Sequence, residues 1–484
     1  MTLIIVVILV ALAFEFINGF HDTANSIATV VSTKVLTPRQ AIMMAAVTNL
    51  FGALIGHAVA KTVSSGLVDA KFVSTQTIIC ALIGGITWNL LTWWLGLPSS
   101  STHALVGGLC GATVANAHNN WGAIQWSVEK IKDGKPVMEG VLHKVIWPMI
   151  TSPMIGLVAG FLIMTLLYAL LRNARPMWVN RFFGRAQIFS AAYMGFAHGL
   201  ADAQKTMGII TLALVTATTA GSFEKVPAWL QFIRMDKTPV AEQQIQAILK
   251  GSKDLSAPET LSKEAEKLDT GEFKEAFHAL AALAFDVDGD TAAAERERAL
   301  SVKTHQQALD REASRFMPKI PILGPMVAYK PSNWAKTLES ERQKALKDGK
   351  DPLVAAATKV RDLSPDVPTW IKIVCALIMA AGTSAGGWRI IKTMGHKMVK
   401  LQPVHGFAAE TTAATLLAVT GSLGMTVSTT HAITTAIMGV GCTKRFSALD
   451  GTVVKRILGA WVLTLPAAGG VAYLAMWLWL KIAG

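Results

Sequence analysis

Charge is what this chain has least of. Only 16% of its 484 residues are charged while 52% are hydrophobic, and mean hydropathy is +0.41. A soluble chain carries about 25% charged residues, so a wholly soluble protein is excluded and an integral membrane protein is expected. Cysteine is also scarce. Cys80, Cys110, Cys375 and Cys442 are scattered through apolar segments without metal-ligand spacing, and read as buried structural thiols. No Lys or Arg precedes Lys34, so the first apolar run lacks the basic region of a secretory signal and reads as a retained helix. Basic residues outnumber acidic ones, for a net charge of +13, but residues 221–368 hold 22 Lys+Arg against 23 Asp+Glu, leaving 23 basic and 9 acidic elsewhere. The excess therefore sits mostly in short loops between apolar runs, as the positive-inside rule predicts, and nucleic acid is excluded as a partner.

What the chain has is apolar length. Runs able to span about 30 Å of hydrocarbon recur at 3–33, 40–60, 76–97, 98–118, 145–171, 186–216, 369–390, 404–422, 425–442 and 457–480. They predict ten crossings, the first broken near Gly19, with 98–118 and 425–442 short and rich in polar residues. Lys34 and Arg39 place the end of the first helix in the cytoplasm. Counting from there puts three basic clusters inside: Arg172, Arg175, Arg181 and Arg185; Arg389, Lys392, Lys397 and Lys400; and Lys444, Arg445, Lys455 and Arg456. Both termini and residues 221–368 fall outside. The mixed charge of 221–368, its helical patterns at 241–250, 260–283 and 295–315, and its later prolines predict a soluble, mainly helical insertion. Its DVDGD, Asp286–Asp290, lacks the glycine and terminal glutamate of a calcium loop.

The chain also repeats itself. HDTAN at 21–25 is matched by ADAQK at 201–205, and SSTHA at 100–104 by STTHA at 428–432. Each pair member occupies the same place in a five-crossing unit. Five is odd, so the second unit enters the membrane upside down, and an inverted-topology repeat puts a transport site at the midplane between halves. The resulting division is 1–185 as the first transmembrane repeat, 186–220 as the start of the second, 221–368 as the insertion and 369–484 as the remainder of the second.

Nine acids lie outside the insertion, and four of them fall in apolar runs: Glu15, Asp22, Asp202 and Glu410. A carboxylate at membrane depth is unfavourable by roughly 2.5–3.5 kcal/mol on insertion scales, so it marks function. Asp22 and Asn25 are three apart and share a helix face, as do Asp202 and Lys205. An aspartate, an asparagine carbonyl and backbone carbonyls freed beside Gly19 suit a small hard cation. In the second half the Lys205 ammonium takes the place an alkali ion would occupy. PSSSTHALVGGLCGA (98–112) and TVSTTHAITTAIMGVG (426–441) open with Ser, Thr and Pro, the mark of a helix start. A helix that begins inside the bilayer offers free N–H groups, a positive dipole end and hydroxyls, which together favour phosphate-like anions. His103 and His431 are ligands or proton carriers, or else packing histidines.

FHDTANSIAT, PSSSTHALVG, AHGLADAQKTMGII and VSTTHAITTAI, in this order over about 300 residues, resemble the PiT family of inorganic phosphate transporters. The resemblance implies an all-α, inverted-repeat membrane protein with broken helices and Ser/Thr-rich hairpin tips. It implies a homodimer in the cell's inner (plasma) membrane that carries phosphate with a coupling cation. Ser101, Thr102, Thr429 and Thr430, with Ser100 and Ser428 beside them, would ring the phosphate. Asp22, Asn25, Asp202, Lys205 and Gln204 would serve the cation or proton, with Glu15, Glu410, His103 and His431 as further candidates. Sodium-coupled members carry Asn-Asp-x-Ala-Asn in both repeats. Here His21 precedes Asp22, and Lys205 replaces the second asparagine. That is similar to the bacterial, proton-coupled, low-affinity branch, which takes phosphate as a metal–phosphate complex.

The reading is therefore proton-driven phosphate import by alternating access, with no enzymatic activity, catalytic residue, resident metal or cofactor. Sodium-coupled phosphate or sulfate transport is the alternative. A membrane-embedded phosphohydrolase lacks the arginine cluster needed to hold a phosphoryl transition state, and a channel does not explain polar residues converging on a closed site.

Overall fold

The structure is a computed structural model. It describes residues 2–55, 59–60, 63, 67–132, 135–219, 233, 257–267, 272–314, 333–349, 351–361, 367–443 and 449–483. The helical pattern at 241–250 and the basic residues Lys444 and Arg445 lie outside the described residues. Helices dominate: α1 (Thr2–Ser32), α2 (Pro38–Ile55), α3 (Thr75–Leu95) and α4 (Ser101–Asn116) come first. A small antiparallel hairpin, β1 (Val128–Lys132) with β2 (Lys135–Glu139), interrupts the helical pattern, pairing Val128 with Glu139. Then follow α5 (Trp147–Leu171), α6 (Pro176–Thr219), α7 (Ala257–Lys267), α8 (Glu272–Asp288), α9 (Thr291–Ser314), α10 (Trp334–Lys347), α11 (Pro352–Arg361), α12 (Thr369–Ala385), α13 (Trp388–Lys392), α14 (Pro403–Ser422), α15 (Thr429–Cys442) and α16 (Gly451–Ala483).

The chain forms two compact units. One comprises Thr2–Ser127, Gly140–Ala213 and Ile371–Gly484; the other comprises Val128–Glu139 and Leu214–Trp370. In the second unit Phe277 and Leu280 of α8 pack with Leu261 of α7, Trp334 and Leu338 of α10 and Val360 of α11. The helical pattern expected over 260–283 falls on α7 and α8. The DVDGD segment is a helix–turn–helix corner: Gly289 takes φ +84°, Asp290 Oδ1 caps the N–H of Ala293 at 3.0 Å, and Asp286 accepts from Arg298.

In the first unit, four helical stretches are long and apolar enough to cross a membrane: Thr2–Ser32, Thr75–Leu95, Leu142–Leu171 and Gly451–Ile482. Thr369–Ala385 with Trp388–Gly395, bent by 59° at a short break, is either a fifth, broken span or a re-entrant loop. Helices α4 and α15 are short and polar, yet almost every residue in them is buried. Protein shields them, so their composition need not suit lipid. α16 packs along α4 and α3, and α15 packs along α5 and α14.

Two expectations about helix continuity are corrected. α1 runs unbroken through Gly19 for 31 residues, so no carbonyls are freed there; the Gly19 carbonyl also accepts the Thr23 hydroxyl at 2.7 Å. The glycine serves close approach instead. A Cβ at Gly19 would lie 2.6 Å from the Met379 carbonyl oxygen and 3.0 Å from Gly382 Cα of α12. The second half opens on one 44-residue helix, α6, which takes Arg181 and Arg185 into its first turns rather than leaving them in a loop.

Candidate functional site

The site is built on two helix starts. Gly96 ends α3 in the left-handed region (φ 66°), its N–H bonding to the carbonyls of Thr92 and Trp93, a role glycine fills without strain. Pro98 cannot continue a helix, and its carbonyl accepts from Trp461 Nε1 at 3.0 Å. Ser100 then caps α4, its hydroxyl accepting from the His103 N–H at 3.2 Å. The second copy is built the same way: Gly424 takes φ 65°, and the Ser428 hydroxyl accepts from the His431 N–H at 3.2 Å to start α15. Ser100 and Ser428 are thus N-caps, which satisfies one of the orphan N–H groups at each start.

The two starts converge on α1. Asp22 Oδ2 accepts from Ser101 Oγ of α4 at 2.6 Å, and its Oδ1 accepts from Thr430 Oγ1 of α15 at 3.4 Å. Asn25, one turn on, donates to Thr429 at 3.2 Å and Thr430 at 2.9 Å. From α6, Asp202 Oδ2 accepts from Thr429 Oγ1 at 3.4 Å, and Asp202 Oδ1 pairs with Lys205 Nζ at 2.6 Å. Asp22, Asn25, Asp202, Lys205, Ser101, Thr102, Thr429 and Thr430 are all at most 2% exposed. The Thr102 hydroxyl is buried without a hydrogen-bond partner among the described residues. The sequence singled out eight residues here, and the structure brings seven of them into one hydrogen-bonded group with Thr102 beside it on α4.

Other candidates lie outside that hydrogen-bonded network, though Glu15 and His103 are near enough to Lys205 to feel its charge. Gln204 accepts from the Val59 N–H at 2.8 Å and donates to the Leu200 carbonyl; its partners are backbone. Glu410 accepts from Thr29, Ser190 and Gln187, a cluster joining α1, α6 and α14. Glu15 accepts from Thr206. His103 and His431 face one another edge to face at 4.9 Å, and His431 also stacks on Trp461 at 3.9 Å. Among the described residues their ring nitrogens have no hydrogen-bond partner. The two rings join the first turns of α4 and α15.

Two histidines were not assigned roles from sequence. His198 lies one helical turn before Asp202, with Nε2 at 3.4 Å from Asp202 Oδ2; its Nδ1 meets Asn49 Oδ1 at 3.1 Å. The i, i+4 spacing was the available signal. His21 Nδ1 meets Asp22 Oδ1 at 2.8 Å, and its Nε2 meets Thr92 Oγ1 at 3.1 Å. Nothing local to the sequence predicts that second contact.

Chemically, the arrangement offers two complements. Two helix N-termini, each carrying roughly half a positive charge, and four hydroxyls suit a tetrahedral oxyanion. Donor atoms of Asp22, His198 and Asp202 lie within 4.8 Å of one another, close enough to hold a cation. The group holds two aspartates and one lysine, with His21 and His198 beside the aspartates, so a cation accompanying the anion has carboxylate oxygens to meet.

Known proteins match this chain along its length. The sequence pattern of a family described as the phosphate transporter family covers residues 18–472. A probable low-affinity inorganic phosphate transporter of Bacillus subtilis is 30% identical over 476 residues, 97% of this chain and 96% of that one. Another from Rhizobium meliloti is 31% identical over 473 residues, 98% and 95% of the two chains. The low-affinity inorganic phosphate transporter PitB of Escherichia coli is 30% identical, covering 97% and 96%. Among solved structures, a sodium-dependent phosphate transporter aligns over 100% of both chains with a TM-score of 0.53 at 19% identity, a likeness of fold.

Proposed function

Because this chain belongs to the phosphate transporter family, we propose that it imports inorganic phosphate across the plasma membrane as a proton-driven secondary transporter of low affinity. It is a membrane phosphate transporter and not an enzyme. The observation that carries the site assignment is the convergence of two Ser-capped helix starts on Asp22 and Asn25. In this reading phosphate lies between Ser101 and Thr102 of α4 and Thr429 and Thr430 of α15. Its own O–H can donate to an aspartate, which sulfate cannot do at neutral pH. The two halves act as inverted repeats, exposing the site alternately to each side, within a homodimer whose termini and 221–368 insertion are extracytoplasmic.

Protons rather than sodium drive the cycle, because the Lys205 ammonium already neutralises Asp202. A divalent ion travelling with phosphate as part of the cargo would meet Asp22, His198 and Asp202. The test is radiolabelled phosphate uptake into proteoliposomes under imposed proton or sodium gradients, with sulfate as competitor. Acceleration by an inward proton gradient, with no effect of sodium or sulfate, is expected. Uptake driven only by sodium, or sulfate uptake without phosphate uptake, overturns the proposal.

A further inference from the structure

The four carboxyl groups in the apolar helices are not partnered alike. Asp22 accepts on both oxygens, from Ser101 at 2.6 Å on one and from the His21 ring at 2.8 Å on the other. Asp202 takes the Lys205 ammonium on Oδ1, and Thr429 and His198 approach its Oδ2. Glu410 accepts from Thr29 and Gln187 on Oε1 and from Ser190 on Oε2. Each of these three has donors for a full carboxylate. Glu15 does not. Its Oε2 accepts from Thr206, while its Oε1 is buried with no hydrogen-bond partner among the described residues beyond a looser approach by the Asn18 amide, and the residue is 0% exposed.

A carboxylate ion has only acceptor sites, and burying one with an empty oxygen is among the least favourable arrangements a protein can make. A neutral carboxyl needs one donor to its carbonyl oxygen and one acceptor for its O–H. Thr206 supplies the first. Asn18, one turn on along the same face of α1, has both side-chain atoms, Oδ1 and Nδ2, buried without a hydrogen-bond partner among the described residues; its Oδ1 can accept the O–H of a neutral Glu15, and the same amide can donate to an ionised one. The charged and titratable groups facing Glu15 are Asp202 and Lys205 from α6 and Cys375 from α12, with His21 and Asp22 further along its own helix. One ammonium therefore serves two carboxyls, and the 2.6 Å pair already commits it to Asp202.

We infer that Glu15 carries the coupled proton, a conclusion that rests on the transport reading above. Loss of that proton creates a second carboxylate competing for Lys205, which loosens the Asp202 pair. Proton occupancy at Glu15 and cargo binding at Asp202 are in this way linked through one ammonium, and the coupling is reciprocal.

The test compares Glu15→Gln with the unsubstituted protein, both full length in proteoliposomes, using radiolabelled inorganic phosphate. For one coupled proton, a gradient of about one pH unit is worth about tenfold accumulation. The unsubstituted protein should show it. Glu15→Gln should equilibrate phosphate without accumulating it, while still exchanging internal for external phosphate. Accumulation by Glu15→Gln overturns the inference and leaves the transport reading standing. So does a monodisperse variant that has lost exchange as well, since Glu15 would then belong to phosphate binding. Absence of proton-driven accumulation in the unsubstituted protein overturns both. Where Glu15→Gln does not fold, dicyclohexylcarbodiimide, a lipid-soluble reagent for protonated carboxyls, decides on the unsubstituted protein. Mass spectrometry should find the adduct on Glu15, and an adduct on Asp22, Asp202 or Glu410 instead contradicts the assignment.

Discussion

Lys205 is 1% exposed and, among the described residues, its ammonium has one partner in reach of a short hydrogen bond, Asp202 at 2.6 Å. Removing one member of a buried pair is unfavourable by about 3–5 kcal/mol, because the remaining charge is left unpaired. In Lys205→Asn, Asp202 keeps only neighbours at 3.4 Å, and the space favours a small cation. Lys205→Asn should therefore gain dependence on sodium or lose transport, as read by phosphate uptake with and without sodium. Unchanged, sodium-independent uptake would show Lys205 to be incidental. Asp22, Asn25, Asp202 and Lys205 were legible in the sequence because each is costly in an apolar run and each pair shares a helix face. His198 was not, since its other partner, Asn49, is 149 positions away and a single histidine carries little hydropathy signal. Nor could sequence tell Glu15 from Glu410: the difference lies in donors contributed by other helices.

Helix starts were readable and helix interiors were not. The Ser-capped starts of α4 and α15 follow from short-range chemistry, serine and threonine ahead of an apolar run with a proline before α4, and both form where that chemistry puts them. Gly19 suggested a break because local propensity disfavours glycine in helices; what it does depends on α12, far along the chain. Gly19→Ala should accordingly lower the thermal unfolding midpoint by an overpacking penalty of about 1–3 kcal/mol, measured by intrinsic fluorescence in detergent. Gly184 of α6, around which a Cβ would meet nothing within 4 Å, is the control, and its alanine variant should be neutral or slightly stabilised.

In the second unit, Glu297 of α9 accepts from His278 of α8 at 2.6 Å and Ser262 of α7 at 2.7 Å. Burial pushes its carboxyl up, but these hydrogen bonds and the nearby positive groups outweigh it and hold the carboxyl below the ordinary value of 4.5. A depressed carboxyl contributes stability above its unfolded-state value and loses it as pH falls through the folded one. Hydrogen exchange of α7–α9 in the full chain should thus speed up below about pH 4.5, and Glu297→Gln should flatten that dependence. An unchanged acid limb in Glu297→Gln would remove Glu297 as its source.

At the scale of the molecule, charge divides as the structure does. The near-neutral 221–368 stretch falls within the Leu214–Trp370 segment of the second compact unit, while the residues outside the stretch hold 23 basic against 9 acidic groups. Among the described residues four helical spans, or five if the bent pair is one span, are apolar enough to cross a membrane on composition. Helices α4, α14 and α15 spend that composition on Ser, Thr, His and Glu turned into the protein, and polar helices of this kind are where a substrate site is expected. The account's central claim is that the anion sits between the two helix starts. Arsenate is isosteric with phosphate and scatters anomalously. In crystals of the arsenate-bound protein, one arsenic peak should lie within hydrogen-bonding reach of Ser101, Thr102, Thr429 and Thr430, whereas a peak remote from both helix starts would contradict the account.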